Sequence, residues 1–510
     1  MSVLGIDIGT TGCKAVGFNH DGVVFASAYR EYRTEVFDDG RAELNSDKVI
    51  SNCLEVIAEV AGKSHGIAAI GISSQGEAFT PVDDKGEILG KAMVSFDARA
   101  AVIAASWSKK FGSQRLYRIT GHTAHPMFTL FKLLWLRENN PSLWEKTWKF
   151  LCFEDLLQLR LGIFNPALGY SLAGRTMLFD IRKHKWSDDI LSALEMNRSK
   201  LARPLPSGTV AGKVAGDASA IAGLSRDTLI VCGGHDQPCG ALGAGAVEDG
   251  MAMYATGSVE CICPIFSSAV MNADLFKNNL CAYDHVVDGR YTTVAFSLTG
   301  GNILKWFRDE FGVAEIMEAK RSGRDVYDIL LSEMPGLPTS LLVLPYFTPS
   351  GTPYFDPVPK GTIFGLKIST KRKEIIKALL EAVTLEMRLN LEIPKNSGIN
   401  VTDLRAIGGG AKSRVWTQIK ADVLNKQITT VHVTEAGCMG AAMLAFSAYF
   451  GASAKTIAAQ WVKTGETVQP RPEIASIYDR KFEAYKKLYP IIRTIPCNHD
   501  WSESARKSEK

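Results

Sequence analysis

Leu4-Gly5-Ile6-Asp7-Ile8-Gly9-Thr10-Thr11-Gly12 joins an apolar strand, one carboxylate within it, and a turn of glycines and threonines. The residues at 14–18 read as a returning strand. Glycines let backbone N–H groups approach an anion closely, and the Thr10 and Thr11 hydroxyls add donors, so the turn suits a phosphate. Asp7 repels a phosphate but can hold a hydrated Mg²⁺ that binds one. A plain tight hairpin with small residues at its tip is the other local reading. A second segment, Met253-Tyr254-Ala255-Thr256-Gly257-Ser258-Val259-Glu260-Cys261, repeats the plan and offers Thr256 and Gly257 as donors. Two such hairpins, one per half of the chain, point to two related domains that serve one nucleotide. A third run, Ile407-Gly408-Gly409-Gly410-Ala411-Lys412-Ser413, follows an apolar strand and precedes a helix at 414–424. It has neither Walker A nor Rossmann spacing. Its side-chain-free surface suits the adenosine end of a nucleotide.

A chain of 510 residues exceeds one core and suits two large domains, and its 46% hydrophobic content is that of a packed globular protein. Net charge +4 spread over this length offers no basic face for nucleic acid. No apolar run approaches the roughly 20 residues of a membrane helix. Asp7 stands where a signal peptide needs its apolar region, so no export is expected. The 10 cysteines are scattered, without CxxC or a His cluster, which suits reduced thiols in a cytoplasm.

Strands alternate with helices. Strands are expected at 67–73, 76–82 and 148–152. Helices are expected at 128–137 (apolar nearly all round), 153–161, 374–391 (closed by Pro394) and 437–450. The domain junction is expected in 246–250, giving domains 1–246 and 247–495 and a polar tail at 496–510. The strand at 229–232 ends in Gly233-Gly234 and delivers Asp236 to its C-terminal edge, where ligand sites form in α/β folds. An N-cap for the helix that follows is the other reading of Asp236.

The hairpin around Asp7, Cys232-Gly233-Gly234-His235-Asp236-Gln237, the segment YSLAGRTMLFDI at 170–181 and the run from Gly408 to Gln418 together resemble the FGGY carbohydrate kinases. The resemblance spans nearly the whole chain. It implies two ribonuclease H-like domains of the actin/Hsp70/hexokinase type flanking a catalytic cleft, ATP and Mg²⁺ as cofactors, and Asp236 as the general base that deprotonates a sugar or polyol hydroxyl. Asp7 would carry the metal through water, with Asp236 a second candidate ligand. Adenosine contacts are implied at Gly300, Gly301, Gly409, Gly410 and Ala411, although Gly300-Gly301 reads equally well as a plain helix start. Gln75, Glu77, Asp97 and Gln237 fall at the family's substrate positions. For Glu77 a solvated turn, and for Asp97 a turn or cap, are the bland readings.

Compared with glycerol kinases, Gly76, Ser95 and Met127 replace three large side chains, which implies room for a bigger polyol. A ketopentose is the first expectation and gluconate or another polyol the second; Gly169 stands where several of these groups carry an aspartate. An actin- or Hsp70-like ATPase and an inactive sugar-binding protein are the non-kinase alternatives. The expected partner is a small-molecule sugar or polyol, with no nucleic acid and no membrane, in a chain compatible with a homodimer.

Overall fold

A computed structural model describes residues 1–495; the tail expected at 496–510 lies outside the described residues. Two compact units emerge. The first gathers Met1–Met253, Cys263–Val294 and Val431–Thr464; the second gathers Tyr254–Ile262, Ala295–Thr430 and the chain from Gly465 onward.

The first unit is built on a six-stranded sheet in the order Val210–Lys213, Leu229–His235, Ile67–Ser74, Ser2–Ile8, Gly12–Phe18, Val24–Glu31. Ser2–Ile8 runs parallel to Ile67–Ser74, which runs parallel to Leu229–His235. The ends of these three central strands therefore meet along one edge, and Asp7, Ser74 and His235 lie there. The hairpin partner Gly12–Phe18 is antiparallel, with Asp7 opposite Lys14. One face is covered by Ser46–Ala61, whose apolar residues Val49, Cys53, Val56, Ile57 and Val60 recur at helical spacing. Its Asn45 cap accepts from the Lys48 N–H.

The other face is covered by the late helix Ala436–Phe450, which returns to lie on Ser2–Ile8, Ile67–Ser74 and the helix Asp236–Gly243. It approaches closely because Gly5 and Gly71 carry no side chain. A Cβ at either would sit within 2 Å of the Cys438 or Ala441 carbonyl oxygen.

A second sheet includes, in order, Glu260–Phe266, Met251–Thr256, Asp403–Ile407, Gln427–Val431 and Thr464–Val468. Asp403–Ile407 and Gln427–Val431 are parallel, joined through the helix Arg414–Leu424. The long helix Arg372–Asn396 packs on Arg414–Leu424 and buries Ile376, Leu380, Val383 and Leu385 in the core.

Two expected elements differ. Residues 76–82 form a strand only at Thr80–Val82, because Glu77 turns the chain with φ of 62°. The helix expected to close at Pro394 instead contains it and runs to Asn396. A proline in the last turn removes one amide donor only. The Pro394 carbonyl then accepts from Ser397 and Ile399, and Gly398, with φ of 86°, ends the helix in the left-handed conformation. The nine cysteines among the described residues are buried and in no disulfide. No helix among these residues is long and apolar enough to cross a membrane.

Candidate active site

Within the first unit, the strand-edge turns carry a cluster of carboxylates. Asp7 sits near the end of Ser2–Ile8, and Ser73 Oγ donates to its Oδ1 at 2.6 Å. Burial pushes the Asp7 carboxyl above its ordinary range and Glu435 adds to the rise, while Ser73 and Lys14 oppose it. Lys14 pairs with Glu435 at 2.5 Å. Gly437 leaves open the space beside the other carboxylate oxygen: a Cβ there would lie 2.9 Å from Oδ2. Gln75 braces the hairpin, donating to the Gly9 carbonyl at 2.9 Å and accepting from Thr10 Oγ1 at 3.3 Å.

Asp236 is the first residue of the helix Asp236–Gly243, and His235 takes the N-cap position, so Asp236 is not the cap. The Gln237 N–H still supports its carboxylate. Burial, with Asp7 and Glu77 nearby, pushes the Asp236 carboxyl up to about 8. Underneath, the buried Glu154 carboxylate accepts the Gly233 N–H at 2.9 Å and the Gly169 N–H at 3.1 Å, which holds the turn before Asp236 in place. Gly169 fits because its face lies against the Gly233 carbonyl, 3.1 Å from where a Cβ would be.

Glu77 is no solvated turn residue. It is 3% exposed, Arg175 Nε donates to its Oε1 at 2.6 Å and Ser95 Oγ to its Oε2 at 2.7 Å. Its backbone carbonyl accepts from Thr129 and from the buried Lys132, whose ammonium also reaches the Met93 and Val94 carbonyls. Nor does Gly76 open a void. A Cβ there would meet the His235 imidazole at 3.1 Å and Arg175 Cβ at 3.5 Å, so these two side chains occupy the space that the sequence reading assigned to a larger substrate. Asp97 braces a turn in this arrangement, accepting from the Ala42 N–H at 2.9 Å and pairing with Arg99 at 2.6 Å.

In the second unit Thr256, Gly257, Gly301, Gly409 and Gly410 line one cavity of about 580 Å³, together with Asn302, Tyr327 and Trp416. The Gly301 N–H bonds to the Gly257 carbonyl at 2.9 Å, which locks the helix start Gly300-Gly301 onto the hairpin turn. Ala411 lies in the short 3₁₀ turn Gly409–Lys412. The cavity fits a nucleotide on two counts. Nothing lies within 4 Å of a Cβ built at Gly409, and the buried indole N–H of Trp416 has no hydrogen-bond partner. Behind Thr256, the buried Lys420 donates to its Oγ1 and pairs with Glu260 at 2.7 Å. Gly410 packs hard on this turn, since a Cβ would lie 2.2 Å from Thr256 Cγ2. Gly410→Ala should therefore displace Thr256, at about 1–3 kcal/mol. Calorimetric titration with ADP should show affinity weakened roughly 10-fold; unchanged affinity would dissociate this turn from nucleotide binding.

No group of three or more His, Cys, Asp or Glu side chains gathers as a metal site among the described residues. A hydrated Mg²⁺ needs only one or two carboxylates besides phosphate oxygens, and Asp7 would supply one. The partners absent from the sequence reading are Arg175, His235, Tyr283, Lys132 and Lys420. The available signal was a lone cation inside an apolar helical segment, as at Lys132 and Lys420.

The N-terminal domain model of the FGGY family of carbohydrate kinases matches residues 2–243, and its C-terminal domain model matches residues 264–449. The chain belongs to the FGGY family of carbohydrate kinases. It is a phosphotransferase with an alcohol group as acceptor. It is similar to a xylulose kinase of Bacillus subtilis (strain 168), 28% identical over 499 residues and covering 97% of each chain. It is also similar to a gluconokinase of Bacillus licheniformis, 26% identical over 96% of this chain and 94% of the relative. The crystal structure of gluconate kinase from Lactobacillus acidophilus matches at a TM-score of 0.88, with 22% identity over 96% of this chain and 98% of that one. The fold is thus the two-domain actin/hexokinase type.

Proposed function

We propose that this kinase uses ATP with Mg²⁺ to phosphorylate a hydroxyl of an open-chain sugar, a ketopentose first, with Asp236 as the general base. The observation that carries this reading is the Asp236 carboxylate at the head of Asp236–Gly243, beside Asp7 and the Glu77–Arg175 pair, with one side still exposed to a ligand. Phosphoryl transfer has a loose transition state, so a carboxylate about 3 Å from the attacking hydroxyl suffices to take its proton late. Glu77 and Gln237 offer the substrate hydroxyl partners. Gln75 and Asp97 act one step back, by holding the turns that carry these groups. Thr10, Thr11, Thr256 and Gly257 would offer donors to phosphate oxygens, and the open face at Gly409, on the turns that Gly300, Gly301, Gly410 and Ala411 build, would take the adenosine. Asp7 would hold the metal through water; bound there, Mg²⁺ supplies charge neutralisation on the phosphates.

The sugar class leans on the xylulose kinases and gluconokinases among the relatives, with gluconate or another polyol as the second choice. Screening ATP consumption over pentuloses, aldonates and four- to six-carbon polyols tests it. A ketopentose should exceed glycerol in kcat/KM by roughly 10-fold or more, the scale of one unpaired buried polar group. Glycerol outperforming every five- and six-carbon candidate would overturn the assignment.

A further inference from the structure

His235 is 5% exposed and touches three fixed groups. Its backbone N–H donates to Ser171 Oγ at 3.1 Å. Its Nδ1 lies 2.9 Å from the Tyr283 hydroxyl, and its Nε2 lies 3.2 Å from Asp236 Oδ1. Tyr283 is fully buried, and the Arg175 guanidinium stands over its ring at 5.6 Å. The ring of His235 is seated against the bare face of Gly76, where a Cβ would lie 3.1 Å from its Cδ2 and Nε2.

A neutral imidazole has one donor and one acceptor. Once Asp236 is ionised, as a base must be, its carboxylate only accepts, so in that state the proton belongs on Nε2 and Nδ1 accepts from the Tyr283 hydroxyl. The polarity then runs in one direction, with the Tyr283 O–H donating to Nδ1 and the Nε2–H side of the ring standing 3.2 Å from Asp236 Oδ1. This leaves Oδ2 of Asp236 to receive the proton of the substrate hydroxyl.

We propose that Tyr283 and His235 form a positioning pair that fixes one imidazole tautomer and, through it, the orientation of the Asp236 carboxylate during phosphoryl transfer. The inference rests on Asp236 being the base. No proton travels along the pair: the substrate proton ends on Asp236, and the imidazole stays neutral throughout. Arg175 and His122 are the other titratable groups facing the imidazole, and neither lies between it and Asp236 in this chain of donors.

The test compares Tyr283→Phe, His235→Gln and His235→Leu with Asp236→Asn, each with its melting temperature. Tyr283→Phe keeps the ring and removes the donor, so kcat should fall about 10-fold while KM for sugar and nucleotide stays within roughly twofold, the mark of misaligned chemistry and not of lost binding. His235→Gln places an amide N–H near the lost Nε2 and should recover most of the activity that His235→Leu loses. Adding Tyr283→Phe to His235→Gln should then cost nothing further, because the amide needs no tautomer set. Nitrogen-15 NMR of the imidazole at a pH above 8, where Asp236 is ionised, should show the Nε2–H form in wild type and a mixture in Tyr283→Phe. A wild-type kcat in Tyr283→Phe, or an Nδ1–H spectrum in wild type, overturns the pair while Asp236→Asn stays inactive. An active Asp236→Asn overturns the base assignment itself. If His235→Leu does not fold, Tyr283→Phe and the spectrum decide alone.

Discussion

Asp236→Asn should lower turnover by about 10²-fold or more, the contribution expected of a positioned general base. The amide preserves shape and can still lie beside the Gln237 N–H and the His235 ring, so ADP affinity and melting temperature should stay near wild type. What it cannot do is accept the proton of the attacking hydroxyl. A pH profile sharpens the test. With its carboxyl pushed up to about 8, Asp236 in the free enzyme is mostly protonated below that pH. Wild-type kcat/KM should accordingly rise with pH, about tenfold per unit, and level off once the group ionises. The variant should lack this limb. Near-normal turnover in a folded Asp236→Asn would reduce the residue to a helix-terminal carboxylate.

The sequence made the site's backbone legible and left its side-chain partners hidden, for a physical reason. Asp7, Thr256 and Gly409 stand out because strand, glycine turn and strand or helix are consecutive, and consecutive residues carry the pattern. Asp236 stands out because Gly233-Gly234 interrupts an apolar strand just before it. Arg175, by contrast, meets Glu77 from 98 residues away, and Tyr283 meets His235 from 48. No periodicity marks such meetings.

Gly76 illustrates the consequence. Read alone, a glycine in place of a large residue signals space, but space belongs to neighbours, and here His235 and Arg175 fill it. The same applies to Ala436–Phe450. Its apolar pattern predicts a buried helix, and only the tertiary contacts show it lying on the first strand of the chain. Pro394 does not close its helix, because one missing amide donor matters little in the last turn of a 25-residue helix.

The Glu77–Arg175 pair carries the largest expected effect on stability. Both groups are buried, at 3% and 8% exposure, so each charge depends on the other for solvation. Burial opposes the Arg175 charge, yet the Glu77 carboxylate more than compensates and leaves the guanidinium harder to deprotonate than usual. Removing one partner strands the other. Arg175→Met leaves the Glu77 carboxylate hydrogen-bonded only by the Ser95 hydroxyl, and Glu77→Gln leaves the guanidinium facing the Phe128 and Tyr283 rings with no carboxylate paired to it. Each single variant should lose about 3–5 kcal/mol, the usual result of orphaning a buried ion. At roughly 1.5 °C per kcal/mol for a unit this large, melting should fall by about 4–8 °C. The double variant should lose less than the sum of the singles, with a coupling of about 1–3 kcal/mol, because it leaves no uncompensated charge. Thermal melts of the four proteins settle the matter. Singles that melt within a degree of wild type would mean that water reaches the pair, and additive losses would mean that the two side chains do not act together.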